Sequence, residues 1–214
     1  MRESLVGAYL RSAFAMVFPS FASWERSKQP GVSLRGSGEI VYGRRTYWTA
    51  SARFIAYGGA DRIEIGNYCS VASGVRILSG GDHDLNNITT YPLEILGAQG
   101  GPEKGASSPG LVRVGNDVWI GTNALVLGGT VIGDGAVIGA GSVVTRDVPA
   151  YAVAVGAPAQ VVRYRFPPVE REMLMRLRWW DWPEAAVLEC ADLLQSGDTA
   201  ALRERALRLG LSDA

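Results

Sequence analysis

Cysteine occurs only twice in the 214 residues, as Cys69 and Cys190, and histidine only once, as His83. Two thiols exclude a disulfide-rich secreted scaffold and any zinc site that needs several thiolates. An excess of one charge is missing too. The 21 Lys+Arg balance the 21 Asp+Glu to a formal net charge of zero, which removes any general electrostatic reason to expect nucleic acid as a partner. A long uncharged apolar run is also lacking. The stretch LVGAYLRSAFAMVFPSFASW is interrupted by Arg11 and falls short of the ~18 residues of a membrane-spanning helix. Its single early arginine, broken apolar core and weak AFA site make a poor signal peptide. It reads as a helical segment over residues 1–30, buried or packed against another subunit, with contact to a membrane surface as the less favoured alternative. With 47% hydrophobic and 20% charged residues, the chain has the composition of a folded soluble domain, which excludes extensive disorder.

Glycine, by contrast, is abundant. The 27 glycines are about 13% of the chain against an average near 7%, and they fall in a pattern. Residues 114–149 divide into six hexads: VGNDVW, IGTNAL, VLGGTV, IGDGAV, IGAGSV and VTRDVP. Each begins with Val or Ile, and four have Gly second. The fifth residue is small or Val: Val118, Ala124, Thr130, Ala136, Ser142 and Val148. A helix would space apolar residues by three and four, and an ordinary strand by two; neither needs a period of six. A short strand plus a turn does, with three such units closing one triangular coil of a parallel β-helix. Leading aliphatics then point inward and stack on copies about 18 residues away, while glycine supplies unusual backbone angles at the corners.

The register returns upstream in IGNYCS, VASGVR and ILSGGD, which start at Ile65, Val71 and Ile77. It is lost between Gly81 and Val112, a stretch rich in turn residues that reads as one long loop thrown out of a coil. Loops of that length in compact domains are usually functional. Before Ile65, SLRGSGEIVYG and RFIAYGG read as strands of irregular first coils. After Pro149, YAVAVGAPAQVVRYRF reads as a last strand region, and PPVEREMLMRLRWWDWPEAAVLECADLL as helix continuing into a charged C-terminal helix. Three tryptophans within four positions of RWWDWP cannot share one helical face. The tail is expected either to cap the open end of the solenoid or to dock back on the coils.

The hexads, the run DVWIGTNALVLGGTVIGDGAVIGAGSVVTRDVPAYAVAVGAPAQVV and the RWWDWP segment resemble the left-handed β-helix acyltransferases of the hexapeptide-repeat superfamily. More narrowly, His83, the following TTYPLEIL and the tryptophan-rich tail are similar to its xenobiotic acetyltransferase branch, which holds streptogramin and chloramphenicol acetyltransferases and related sugar O-acetyltransferases. The likeness spans roughly residues 60–185. It implies an all-β solenoid, a left-handed parallel β-helix over 31–165 with a protruding loop at 82–111 and a helical tail over 166–214. The handedness comes from the resemblance alone, against the usual right-handed crossover. Also implied are a cytoplasmic homotrimer with sites at subunit junctions, acetyl-CoA as co-substrate, no metal, and a small-molecule or glycan acceptor. A sugar or glycan hydroxyl is the first expectation and an antibiotic hydroxyl the second. The alternative of another class is a non-catalytic β-helix scaffold or binding protein.

His83 opens the one long loop that breaks the solenoid, where the resemblance puts the catalytic histidine. An imidazole suits removal of the acceptor's hydroxyl proton, and no Cys or Ser constellation suggests an acyl-enzyme, so direct transfer is expected. Asp82 or Asp84 is a candidate to orient the ring. By the resemblance, Trp119 lies beside the pantetheine and acetyl group, although it can equally be an aromatic packed by the tail. Cofactor contacts fall at Thr122, Ala140 (through its backbone), Thr145, Arg146 and Arg163. A family basic residue is replaced by Gln160, which shifts phosphate pairing onto Arg146, Arg163 or Arg165. Asn86 and Tyr91 are the candidate acceptor contacts.

Overall fold

The computed structural model describes residues 38–97 and 110–211. The helical segment expected over 1–30 and the middle of the long loop lie outside the described residues. Among those described, no helix is long and apolar enough to cross a membrane.

Strands arrive in threes and build three parallel faces. The first face holds β1 (Glu39–Tyr42), β4 (Arg62–Ile65), β7 (Val112–Val114) and β10 (Val131–Ile132). The second holds β2 (Tyr47–Trp48), β5 (Ser70–Val71), β8 (Trp119–Ile120), β11 (Val137–Ile138) and β13 (Ala152–Val155), with β14 (Gln160–Tyr164) added antiparallel at its edge. The third holds β3 (Arg53–Ala56), β6 (Arg76–Ser79), β9 (Leu125–Val126) and β12 (Val143–Val144). Each coil therefore contributes one strand to each side of a triangular prism. Leading residues from Ile65 to Val144 and fifth residues from Val118 to Val148 are all buried, so both hexad positions point inward and form one continuous core.

Partners on all three faces share one offset per coil. Between coils three and four it is 18 residues (Val131 with Arg113, Val137 with Trp119, Val143 with Leu125). Between coils one and two it is 23 (Glu39 with Arg62, Tyr47 with Ser70, Arg53 with Arg76). Between coils two and three it is 49 (Ile63 with Val112, Ser70 with Trp119, Arg76 with Leu125). The extra residues all enter at the corner between the third and first faces, as a short insertion after β3 and the long loop after β6. The loop closes at its neck, where the buried Ser79 hydroxyl donates to the Gly110 carbonyl at 2.8 Å. Gly80 and Gly81 leave the coil with left-handed φ of 76° and 83°. A side chain at Gly80 would strike the Asp61 carboxylate, and one at Gly81 the Tyr57 ring, so the short insertion buttresses the long one.

Four expectations change. The first coil is regular, in full register with the second; its leading positions carry Tyr42, Trp48 and Phe54 instead of aliphatics, which masks the period. Left-handed φ belongs to the fourth hexad position (Tyr68, Asp117, Asn123, Gly129, Gly135, Gly141), whereas the second-position glycine is required by close approach. A Cβ at Gly133 would lie 2.5 Å from the Ala150 amide nitrogen. The last hexad is cut short: Val148, its fifth residue, bridges Ile132 and starts the next coil. Finally, the tail breaks into α1 (Pro168–Leu177), a 3-10 turn at Trp179–Asp181, α2 (Glu184–Glu189), α3 (Ala191–Leu194) and α4 (Thr199–Arg208).

After β14 reverses the chain, the tail runs back along the corner between the first and second faces instead of capping the open end. Arg165 donates to the Asp117 carboxylate at 3.0 Å and to the Gly135 carbonyl at 2.7 Å. Arg44 in coil one donates to the carbonyls of Trp180 and Trp182. Trp180 and Trp182 are buried with Tyr151, Leu174, Leu177 and Leu202 in a second core, while Trp179 packs its ring 4.9 Å from Tyr68. The three tryptophans therefore meet in one cluster, Trp180 and Trp182 inside it and Trp179 at its edge against Tyr68.

Candidate active site

The corner of the loop carries one set of candidate residues. His83 stands on the strandless stretch that leaves coil two, with Asn86 and Tyr91 farther along, and Thr145 and Arg146 form the same corner two coils on. His83 is exposed, and its Nδ1 lies 2.6 Å from the Thr90 carbonyl oxygen. A carbonyl only accepts, so Nδ1 carries a proton, and in the neutral ring Nε2 is the nitrogen with the lone pair. Thr90 is thus the orienter. Asp84 does not orient the ring: its Oδ1 accepts from the backbone and side-chain amides of Asn86 at 2.9 and 3.1 Å. Tyr91 is exposed with its amide bonded to the Thr89 hydroxyl at 3.1 Å. Nothing in residue type marks Thr90, because a backbone carbonyl does the positioning.

The other set lies across the prism. Trp119 faces outward from β8 and is 56% exposed, outside the aromatic core of the tail. Register carries its row along the second face from Trp119 to Val137, Val153 and Arg163, three strand spacings or about 14 Å. Beside this row, at the corner between second and third faces, Thr122 stacks on Ala140, with the Gly141 amide donating to the Thr122 carbonyl at 2.8 Å. At the first corner, third-position side chains consume the amides: Arg44, Asn67 and Asn116 donate to the side chains of Asn67, Asn116 and Asp134 in turn. At the second corner Ala140 offers no such acceptor, and among the described residues the amides of Thr122 and Ala140 have none. A row ending in a cation, flanked by two outward amide donors, suits an elongated ligand with internal amides and a phosphate end. Arg165 is spent on Asp117 and Gly135 under the tail, so it is no phosphate partner; Arg146 and Arg163 remain exposed.

Within one protomer the structure does not bring His83 and Trp119 together: the loop corner is the vertex opposite the second face. The thiols offer no alternative nucleophile. Burial pushes Cys69 up to about 12, its Sγ donating to the Gly115 carbonyl at 3.0 Å, and burial also raises Cys190.

The bacterial transferase hexapeptide family (six repeats) matches residues 112–146. The chain is 38% identical over 181 residues to a chloramphenicol acetyltransferase of Agrobacterium fabrum (strain C58 / ATCC 33970), covering 78% of this chain and 87% of the relative. It is 37% identical over 143 residues to a probable macrolide acetyltransferase of Lysinibacillus sphaericus, covering 64% and 78%. A solved maltose O-acetyltransferase from Clostridium difficile 630 is similar with a TM-score of 0.49 and 29% identity, over 65% of this chain and 68% of that one.

Proposed function

The chain belongs to the hexapeptide-repeat acetyltransferases, in the branch of the chloramphenicol acetyltransferases, and from that premise we propose that it transfers acetyl from acetyl-CoA to a hydroxyl of a small acceptor with an apolar body, using His83 as general base. It is an acyltransferase by this membership, which removes the scaffold alternative. The observation that carries the proposal is the His83–Thr90 bond, since it leaves Nε2 as the basic nitrogen on the loop.

Acetyl-CoA supplies a thioester whose carbonyl accepts the attacking oxygen. Nε2 of His83 takes the hydroxyl proton as the acceptor oxygen bonds the acetyl carbon; the carbon–sulfur bond breaks, and the imidazolium returns the proton to the departing sulfur. Thr122 and Ala140 amides, Trp119 and Arg163 hold the pantetheine arm and phosphates along the second face. Because His83 lies at the opposite vertex, the site joins the loop corner of one protomer to the second face of another, as a cyclic trimer would. Thr145 and Arg146 then approach the same cofactor from the loop side.

Leu85, Ile88, Tyr91, Leu93 and Leu96 are all exposed on the His83 loop. Five large apolar side chains suit a phenyl or macrocyclic body better than a hydroxyl-rich sugar, and the relatives named above are a chloramphenicol acetyltransferase and a probable macrolide acetyltransferase. The antibiotic acceptor therefore leads, and a sugar hydroxyl is the second arm of the test. Purified protein with acetyl-CoA is offered chloramphenicol, a macrolide and maltose while released thiol is followed. Turnover with an antibiotic, lost at least ~10²-fold in kcat in His83→Ala with acetyl-CoA affinity retained, supports the proposal. Retained turnover in the variant refutes it.

A further inference from the structure

A charged residue stands two positions from each end of the Trp119–Arg163 row. Asp117 precedes Trp119 and Arg165 follows Arg163, and the two side chains meet: Arg165 Nη1 donates to Asp117 Oδ2 at 3.0 Å and to the Gly135 carbonyl at 2.7 Å. Their backbones lie two coils apart. The Arg165 amide donates to the Tyr151 carbonyl, while the amides of Tyr151, Gly135 and Asp117 donate to Asp134, Asn116 and Asn67, each one coil back. Arg165 thus starts beside coil five and reaches coil three, parallel to the row.

Only one end of that row rests on stacked coils. Trp119, Val137 and Val153 follow one another in parallel register, but Arg163 sits on β14, an edge strand exposed in all five residues and paired to β13 alone among the described strands. The ladder shifts register between Val153 and Ala154, at the partner of Arg163 itself. An exposed edge strand held across a bulge is the most easily displaced part of this face. The Arg165 bonds bypass the bulge and join the end of β14 directly to the coil of Trp119. Gly135 leaves room for the crossing, because a Cβ there would lie 2.5 Å from the Tyr151 ring, and the Arg165 guanidinium carbon lies 5.4 Å from the centre of that ring and 5.5 Å from that of Phe166. The side chains of Arg165 and Asp117 are 30% and 26% exposed, so water screens the pair less than one on the open surface.

The geometry points to the Asp117–Arg165 pair as a brace that fixes the span between Trp119 and Arg163, a positioning pair for a ligand that must hold both ends at once. Coenzyme A is such a ligand. Binding at one end raises the effective concentration at the other only when the span is preset, whereas a ligand that touches one end gains nothing from the brace. This inference rests on the function proposed above and adds the residues that set the cofactor's span.

The test uses the full-length protein, well below its melting temperature, as wild type, Arg165→Met, Arg165→Lys and Asp117→Asn. Calorimetry gives the Kd of coenzyme A. Ligand-observed NMR titrations give those of pantetheine and adenosine bisphosphate, the two ends of the cofactor taken separately, and amide hydrogen exchange reads the opening of β14. The expected Kd of coenzyme A rises about tenfold in Arg165→Met and several-fold in Asp117→Asn, which keeps one acceptor and suits the left-handed φ of 52°. Each fragment stays within about twofold of wild type, and β14 amides exchange at least about tenfold faster in Arg165→Met with those of coils three and four unchanged. Arg165→Lys restores the affinity, since an ammonium can replace the one nitrogen that makes both bonds. Coenzyme A affinity unchanged in both Arg165→Met and Asp117→Asn overturns the brace and leaves the proposed function standing. Fragment affinities that fall as far as that of coenzyme A overturn the brace too, by marking general damage to the face. A wild type that binds no coenzyme A overturns the proposed function and the brace with it.

Discussion

Gly121 and Gly141 are the chain neighbours of Thr122 and Ala140 at one corner, yet substitution at each tests a different force. At Gly121 an added Cβ would lie 2.6 Å from the Ala140 nitrogen, 2.9 Å from the Ile138 oxygen and 3.0 Å from the Gly139 carbon, all backbone. Ordinary contact begins near 3.4 Å, so coil four must recede by about 0.8 Å at Ala140. The bonds that hold the coils there, Gly121 to Ile138 and Gly141 to Thr122, are both 2.8 Å and would stretch beyond useful length. Losing them inside a packed stack costs about 3 kcal/mol. At Gly141 nothing lies within 4 Å of the added carbon, and only φ of 68° is unfavourable, which costs about 1 kcal/mol. For a chain of this size these become falls in melting temperature of about 6–12 °C for Gly121→Ala and 2–4 °C for Gly141→Ala. Separation of the Thr122 and Ala140 amides should also weaken acetyl-CoA binding about tenfold in Gly121→Ala, one hydrogen bond's worth, and hardly at all in Gly141→Ala. Thermal melts and calorimetric titration read both. Equal losses in the two variants would sink the assignment of second-position glycine to coil spacing.

Light scattering should give three times the chain mass at micromolar concentration, and a monomer would remove the shared site. Replacing Arg146 or Arg163 by Ala should weaken acetyl-CoA binding about 5- to 100-fold, the scale of one charge-assisted contact, and leave a phosphate-free pantetheine analogue nearly unaffected; equal losses for both ligands would indicate structural damage. Removing residues 166–214 strips Trp180 and Trp182 from Arg44 and Trp179 from Tyr68, so aggregation or loss of assembly is expected, and a soluble, active truncation would contradict the docking role. Arg165→Met should destabilise most at neutral pH. Burial already holds the Asp117 carboxyl above its ordinary range against the opposing pull of Arg165, so the folded state binds that proton more tightly than the unfolded one and regains stability as pH falls. A melting deficit that widens on acidification would contradict this sign.

The repeat made coils two to four legible because stacking imposes the same demand every six residues: an aliphatic first, a small residue fifth. Where the demand is met by other means the signal fades. Trp48 and Phe54 fill coil one as completely as Val71 and Ile77 fill coil two, but aromatics in a 23-residue offset show no hexad. Corner chemistry was harder still. Glycine looks alike at the second and fourth positions, although one avoids a collision and the other adopts a left-handed angle. The proposed base, His83, was visible as the lone imidazole in the one long loop, whereas its partner, the Thr90 carbonyl, belongs to no residue type. The Trp119–Arg163 row could not be read either, because 44 residues and a chain reversal separate two groups that share one line.

The position of the insertion explains how the two halves of this chemistry can vary separately. All three faces keep the same 49-residue offset across the long loop, so the insertion adds chain at a corner without shifting any strand against its neighbour. A loop placed within a face would break the inward alternation and displace the Trp119–Arg163 row, turning side chains to the wrong side. At the corner its length and apolar content are free to change, provided that Ser79, Gly80 and Gly81 hold the neck against Asp61 and Tyr57. In the proposed reaction acetyl carriage would therefore depend on the regular spacing of the prism, and acceptor choice on what projects from the loop vertex. Exchanging the loop between two such proteins should accordingly change the acceptor while leaving the affinity for acetyl-CoA in place, and a swap that altered cofactor affinity as strongly as acceptor preference would show that the two are not separable.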